Sequence, residues 1–389
     1  MRFGFVAMIA LIVTLACAPA EAADQGLLGP LWGGQSHFLQ MGDLNFSKPP
    51  YDSPTESSGW IAVRNGKWYL FNRRTPQGPK PDYCPTIHYE IVVRESGDRG
   101  KTWSSPQIAA HPTSNRASDA CAIVDGSSYY DSKANIWHML TQCMAASNAG
   151  GWGLCHYTRT GPSPMGPFTA DAANPVVRSG QLWSRICAGA GKACDPRTTK
   201  EEGTPDIIAK RSDYFFVTFH GWDPRHTRAY RGIAKTKDFV SFTVEAADLP
   251  GDALLAPENC RAWVEGCIGA GEATTIATGD YYYTLVETPN TSLACTKGQQ
   301  WVFALLRRRI GALTSWRNGW EVYPHNPLIV PSWPGSEQKC ALQYARLFVD
   351  SGTVYLIYED FGPGRKFVAR RLLKLVPGAG AAIEKSTAK

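Results

Sequence analysis

Four carboxyl side chains stand at matching places in this sequence. Glu202 precedes Thr204-Pro205-Asp206-Ile207-Ile208-Ala209-Lys210, a polar turn at Arg211-Ser212-Asp213, and the aromatic run Tyr214-Phe215-Phe216-Val217. Glu272 heads Ala273-Thr274-Thr275-Ile276-Ala277, the turn at Gly279-Asp280 and Tyr281-Tyr282-Tyr283. Asp119 heads Ala120-Cys121-Ala122-Ile123-Val124, and Glu56 lies just ahead of Gly59-Trp60-Ile61-Ala62-Val63. Carboxyl groups brought together can divide the labour of acid–base chemistry. One holds a proton near neutral pH and donates it while another stays ionised. Clustering itself raises the pKa of the member that keeps its proton. The plain alternative for Glu202 is a solvated turn residue, and Ser118-Asp119 is also ordinary turn chemistry.

The elements that must position these groups are strands. Short apolar runs bounded by turn residues are strand signals. The same hairpin recurs a fifth time in Tyr344–Asp350, Ser351-Gly352 and Thr353–Tyr358. In the second copy, Asp125-Gly126 reads as the start of the turn, with an insertion before Ile136. Third strands follow at 89–94 and 367–373, and outer-strand corners at 161–169, 236–242 and 312–316. Repeats of a four-stranded unit imply a propeller, so the expected fold is all-β, a five-bladed β-propeller over residues 23–376. The fifth copy has only three evident strands; a strand from the lead-in, residues 23–50, would supply the fourth and close the ring. Inner strands of a propeller open toward one mouth of the axis, which is where Glu56, Asp119, Glu202 and Glu272 would converge.

The chain has 389 residues and a net charge of +6 spread along its length. No basic tail or nucleic-acid-binding motif is present, so nucleic acid is not an expected partner. Arg2, the apolar run 3–16 and Ala20-Glu21-Ala22 read as a secretory signal over residues 1–22. No later run is long enough to span a bilayer. The expectation is a secreted or periplasmic monomer with a disordered tail at 377–389. Ten of the eleven cysteines lie beyond the signal, an even number that suggests disulfides in an exported chain. Cys187/Cys194 and Cys260/Cys267 are local pairs, and Cys143/Cys155 can tie neighbouring strands. There is no C-x-x-C spacing for zinc, and no metal or cofactor is expected.

Ser96-Gly97-Asp98-Arg99-Gly100-Lys101-Thr102-Trp103 has the S-x-D-x-G-x-T-W form of an Asp box. In that turn the carboxylate caps backbone N–H groups and the tryptophan packs between strands, a structural role. Glu202-Gly203-Thr204-Pro205-Asp206-Ile207-Ile208 with Tyr214-Phe215-Phe216 resembles the E-G-P segment and aromatic strand of five-bladed propeller glycoside hydrolases (family 43 and its relatives 32, 68 and 117), with Thr204 inserted. Asp119 resembles the acidic residue of their second blade, with Ala120 where proline is usual. Gly161–Thr169 resembles their S-x-x-x-G-P-[FW] corner. The resemblance implies glycosidic bond hydrolysis of a carbohydrate substrate, by inversion, with Glu202 as general acid and Asp119 as tuner or base. The first blade departs from the pattern: Glu56 is the nearest carboxyl for the base, Asp43 the fallback. Glu201 is the alternative acid.

For substrate binding, Trp222 and Trp183 are candidates to stack on a sugar face, Arg346 to bind a hydroxyl or carboxylate, and His220 to face the mouth. Arg307-Arg308-Arg309 invites the carboxylate clamp of the six-bladed sialidases, which the Asp box also resembles. Adjacent strand residues alternate faces, so three in a row cannot meet one ligand. A sialidase-like exo-hydrolase and a non-catalytic glycan-binding propeller remain the rival readings.

Overall fold

The computed structural model describes residues 23–44, 56–84, 87–146, 151–189, 194–244, 254–255, 271–290, 300–310, 319–329, 342–361, 368–380 and 383–384. The expected signal segment (residues 1–22), Cys260, Cys267 and the corner at 312–316 therefore lie outside the described residues.

Five sheets, antiparallel except for one short terminal pair, follow one another along the chain. After a short lead-in helix, α1 (Gly29–Trp32), comes β1 (Ser36–Asp43). Blade 1 is β2 (Glu56–Arg64), β3 (Lys67–Arg74), β4 (Glu90–Ser96) and β5 (Gln107–Ala110). Blade 2 is β6 (Ala122–Asp131), β7 (Ile136–Met144), β8 (Trp152–Thr160) and β9 (Thr169–Ala170). The helix α2 (Gln181–Gly189) precedes blade 3, which is β10 (Lys200–Arg211), β11 (Tyr214–Asp223), β12 (Arg228–Thr236) and β13 (Phe242–Thr243), with β14 (Leu254–Leu255) also on β12. Blade 4 is β15 (Ala273–Thr278), β16 (Tyr281–Asn290), β17 (Gln300–Arg309) and β18 (Glu321–Val322). Blade 5 is β19 (Leu342–Asp350), β20 (Thr353–Phe361) and β21 (Val368–Pro377). The first strands β2, β6, β10, β15 and β19 neighbour one another in a closed ring around the axis.

The ring closes as the strand count required: β1 pairs antiparallel with β21 as the outer strand of blade 5. Beyond β21, β22 (Ile383–Glu384) adds in parallel to β1. Blade 2 also differs from the sequence reading. Asp125-Gly126 is no turn: β6 runs on to Asp131 and turns there into Ile136, with a register shift between Val124 and Gly126. An Asp-Gly pair suits a turn or a bulge equally, since both need unusual backbone angles.

Aromatic and aliphatic side chains fill the seams between blades. Trp183, Phe219, Tyr230 and Ile233 belong to one fully buried cluster, and Trp60, Phe71, Trp137 and Tyr157 to another. The lead-in is pinned to blade 4: Leu27 N–H donates to Thr278 Oγ1 at 2.9 Å and the Tyr283 hydroxyl to the Gln25 carbonyl at 2.7 Å. Disulfides join Cys143 to Cys155 across β7 and β8, Cys187 to Cys194 behind α2, and Cys84 to Cys121 between blades 1 and 2. The Asp box forms as its pattern required. Asp98 accepts from Thr102 N–H at 2.9 Å, Thr102 Oγ1 at 2.6 Å and Ser96 Oγ at 2.8 Å, and the Thr102 bonds hold its carboxyl low, at about 2.

Candidate active site

The hairpin registers place one equivalent position in every inner strand. Counted back from the pairs Arg64↔Lys67, Asp131↔Ile136, Thr278↔Tyr281 and Asp350↔Thr353, it falls on Ser58, Asp125, Glu272 and Tyr344. In β10, which carries an extra residue at the Ile207/Ala209 shift, it falls on Thr204. Four of the five have positive φ: Ser58 at 54°, Asp125 at 31°, Thr204 at 38° and Tyr344 at 59°. Each non-glycine residue held in that region costs of order 1–3 kcal/mol. Bulges of this kind re-aim side chains, and here they recur around one end of the axis.

Behind this ring stands a second layer, from the strands that return to the mouth. Arg73, Gln142, His220 and Glu359 pair with Ser57, Val124, Gly203 and Gln343, and Glu287 N–H donates to the Glu272 carbonyl at 2.7 Å. Arg73 joins three blades: Nε donates to Ser57 Oγ at 2.8 Å, Nη1 to both Asp125 oxygens at 3.2 and 3.4 Å, and Nη2 to the Tyr344 hydroxyl at 2.6 Å. Arg346 joins blade 5 to blade 4 beside it and to blade 2 across the axis. It lies 2.5 Å from Glu272 Oε1 and donates to the carbonyls of Ala273 at 2.9 Å and Gly126 at 3.3 Å. Glu359 accepts from Ser58 N–H at 2.9 Å and from Arg370 Nε at 2.9 Å.

The surroundings of the two ring carboxyls differ. Burial pushes Glu272 up to about 7 against the pull of Arg346, with Asp125 pushing further. Burial and the adjacent Glu272 raise Glu287 well above the usual range. Asp125, by contrast, is ion-paired with the Arg73 guanidinium at 3.2 Å. Burial keeps the Tyr344 phenol neutral. Asp125 is buried, at 7% exposure, and the Arg73 side chain is 19% exposed. Apart from the Arg346 ion pair, neither Glu272 oxygen has a hydrogen-bond partner among the described residues, nor do Glu287 Oε1 and Glu359 Oε2. Unmet buried acceptors are costly and call for donors.

Of the sequence candidates, the structure brings Glu272 and Arg346 together in this ring. The other carboxyls are engaged elsewhere. Glu202 is 0% exposed, and its carboxylate accepts the backbone N–H groups of Gly180 at 2.5 Å, Leu182 at 2.7 Å and Trp183 at 3.3 Å. It caps α2, where free N–H groups and the helix dipole favour a carboxylate. Burial raises Glu202 to about 7, while those amides favour its ionised form and pull it down. Asp119 is 1% exposed and caged by Ser118 Oγ at 3.0 Å, the Tyr157 hydroxyl at 2.7 Å and Thr113 Oγ1. Glu56 faces Arg94 at 2.9 Å and Asn72 at 3.2 Å within blade 1, and Asp43 pairs with Arg371 at 2.7 Å. Trp183 is 0% exposed, packed on Phe219 and Tyr230, and has no face left for a sugar.

His220 and Trp222 lie toward the mouth end of β11, both half-buried, with His220 pushed down to about 3 by burial and then by Arg231. Glu201 is half-buried and raised by burial alone. Arg307 pairs with Glu321 and stacks on Trp32 and Tyr281, away from any clamp. Asp125, Arg73, Tyr344, Glu287 and Glu359 were not singled out from the sequence. A usable signal was there: each second strand is apolar at its start and turns polar at its far end, as in Asn72-Arg73-Arg74, Gln142, His220, Glu287 and Glu359-Asp360.

No protein-family model matches the chain, and no curated protein sequence does. Solved structures do match its fold. BT0996, in its complex with RGII, is 12% identical, with 93% of this chain and 97% of that one covered and a TM-score of 0.59. Zg3597, a family 117 glycoside hydrolase from the marine bacterium Zobellia galactanivorans, is 14% identical over 87% of this chain and 90% of its own, with a TM-score of 0.56. The catalytic domain of the Coprinopsis cinerea GH62 α-L-arabinofuranosidase is 13% identical over 88% and 98%, with a TM-score of 0.52. The chain thus has the five-bladed propeller fold of these proteins. At such identities the likeness extends to the fold and leaves the chemistry to be argued from the residues.

Proposed function

We propose that the protein is a glycoside hydrolase whose reaction takes place at the axial mouth, on a poly- or oligosaccharide. The observation that carries this reading is that two of the five equivalent inner-strand positions bear carboxyls in contrasting surroundings. Asp125 is paired with Arg73, and Glu272 is raised by burial toward neutrality. In this reading Glu272 donates its proton to the glycosidic oxygen as that bond breaks. Asp125 takes a proton from the water that attacks the anomeric carbon. This is the two-carboxylate division of an inverting hydrolase. The unmet acceptors of Glu272, Glu287 and Glu359 suit sugar hydroxyls as donors. The fold shared with a glycoside hydrolase and an arabinofuranosidase supports the same class. Three disulfides support an oxidising, exported setting.

The test is sugar release from a polysaccharide panel that begins with arabinofuranosides and RGII, comparing wild type with Glu272→Gln and Asp125→Asn. Release that collapses in both variants is the expected result, with the first-released anomer inverted by proton NMR. A dead Glu201→Gln beside an active Glu272→Gln would move the acid to Glu201. Glycan binding without release by the wild type would leave a binding module.

A further inference from the structure

Arg231 belongs to the third strand of its blade, yet its guanidinium reaches the mouth. The residue is 1% exposed. Nη1 donates to Thr204 Oγ1 at 2.7 Å and to the Gly271 carbonyl at 3.2 Å, and Nη2 to the Thr204 carbonyl at 2.9 Å and Thr218 Oγ1 at 2.9 Å. All of these acceptors are neutral, and among the described residues no carboxylate lies within ion-pair distance of it. Its charge is balanced from beyond hydrogen-bond distance by the carboxyls of Asp206 on β10, Glu272 and Glu287, so the neutral hydrogen bonds are what tie it to the ring. Thr204 is the blade 3 member of the ring, held at a φ of 38°, and Gly271 immediately precedes Glu272, the blade 4 member. One cation therefore binds two adjacent ring positions into a unit.

We propose that Arg231 is a positioning residue that locks the Thr204 bulge to the Gly271-Glu272 corner and sets the electrostatic surroundings of the Glu272 carboxyl. The proposal rests on the hydrolase reading, in which Glu272 is the proton donor. Glu272 is surrounded by Asp125 from β6, Arg231 from β12, Glu287 from β16, Arg346 and Tyr344 from β19 and Glu359 from β20. Arg346 and Arg231 favour its ionised form, whereas Asp125 and Glu359 oppose it. Burial lowers Arg231 itself only to about 9, so it is cationic at neutral pH.

Arg231→Met removes both the charge and the four hydrogen bonds. Arg231→Lys keeps the charge and loses the fork that spans Thr204 and Gly271. A general acid is active while protonated, so activity falls on the alkaline side as Glu272 ionises. In Arg231→Met that limb should move up by about one pH unit, with kcat/KM reduced at least about ten-fold at its optimum. In Arg231→Lys the limb should stay in place while kcat falls. The Glu272 titration, read by carboxyl ¹³C NMR in the full chain, should move up in Arg231→Met and stay put in Arg231→Lys. This readout needs no substrate, so an inactive wild type would sink the hydrolase reading while Arg231 is still tested. An unmoved Glu272 titration in a folded Arg231→Met protein would overturn the proposal. If Arg231→Met does not fold, an Arg231→Lys protein with wild-type kcat and wild-type exchange of the Gly271 amide would overturn it.

Discussion

Replacing Glu202 separates a helix cap from a catalytic acid. In Glu202→Ala, the Gly180 and Leu182 amides lose acceptors at 2.5 and 2.7 Å, and Trp183 loses one at 3.3 Å. Each buried donor left unmet costs about 1–3 kcal/mol. The two short bonds dominate, so the variant should lose about 4 kcal/mol of stability. An unfolding entropy of about 2.1 cal/mol/K per residue makes that a fall of roughly 5 °C in Tm for a chain of this length. Glu202→Gln keeps one acceptor but sets an amide N–H₂ against a backbone N–H, for a loss of about 1–3 kcal/mol. The assay is urea unfolding of the disulfide-intact protein, with thermal scans at matched rates and sugar release at a temperature where both proteins are folded. The reasoning fails if Glu202→Ala unfolds with the wild type yet has lost hydrolysis outright. That outcome would return the carboxyl to the chemistry.

Three further outcomes follow from the packing. His138 donates to or accepts from His156 at 3.1 Å between the rings of Phe239 and Phe215, and burial lowers it to about 4, with Lys210 and Asp131 nearby. The unfolded chain therefore binds more protons between pH 6.5 and 4. Stability present above about pH 6.5 should fall by about 3 kcal/mol over that window, and His138→Phe should flatten the fall in urea midpoints measured at each pH. Cys84 and Cys121 are 37 residues apart, so Cys84→Ala with Cys121→Ala should lower stability by about 4 kcal/mol, read in the same urea titration. Trp183→Ala should cost about 3–5 kcal/mol as a core deletion and leave the affinity for a bound oligosaccharide unchanged by calorimetry.

The blades were readable because hairpin grammar is local: an apolar run, a turn and an aromatic run identify themselves without the rest of the chain. The closing strand was readable by counting, since a propeller must satisfy the last blade's free edge. The site was only half readable. Glu272 and Arg346 stand at the start of clean repeats, and their meeting at the mouth follows from position. Asp125 was hidden because Asp-Gly inside an apolar run looks like a turn, and only the β6–β7 register shows it to be a bulge. The surroundings of Glu202 were unreadable for the opposite reason. Its motif pointed to the axis, whereas its carboxylate is drawn to the N-terminus of α2, an insertion whose docking no local pattern announces. Arg231 could not be singled out at all, because its reach from a third strand to the mouth depends on tertiary packing.

The central claim is that a sugar is cleaved between Asp125 and Glu272 at the axial mouth. A crystal structure of Glu272→Gln with an oligosaccharide that the wild type cleaves tests it most directly. The account predicts a glycosidic oxygen within hydrogen-bond reach of residue 272 and a water held by Asp125 on the opposite face of the ring. A sugar seated at Glu201, or anywhere with neither ring carboxyl within reach, would contradict it.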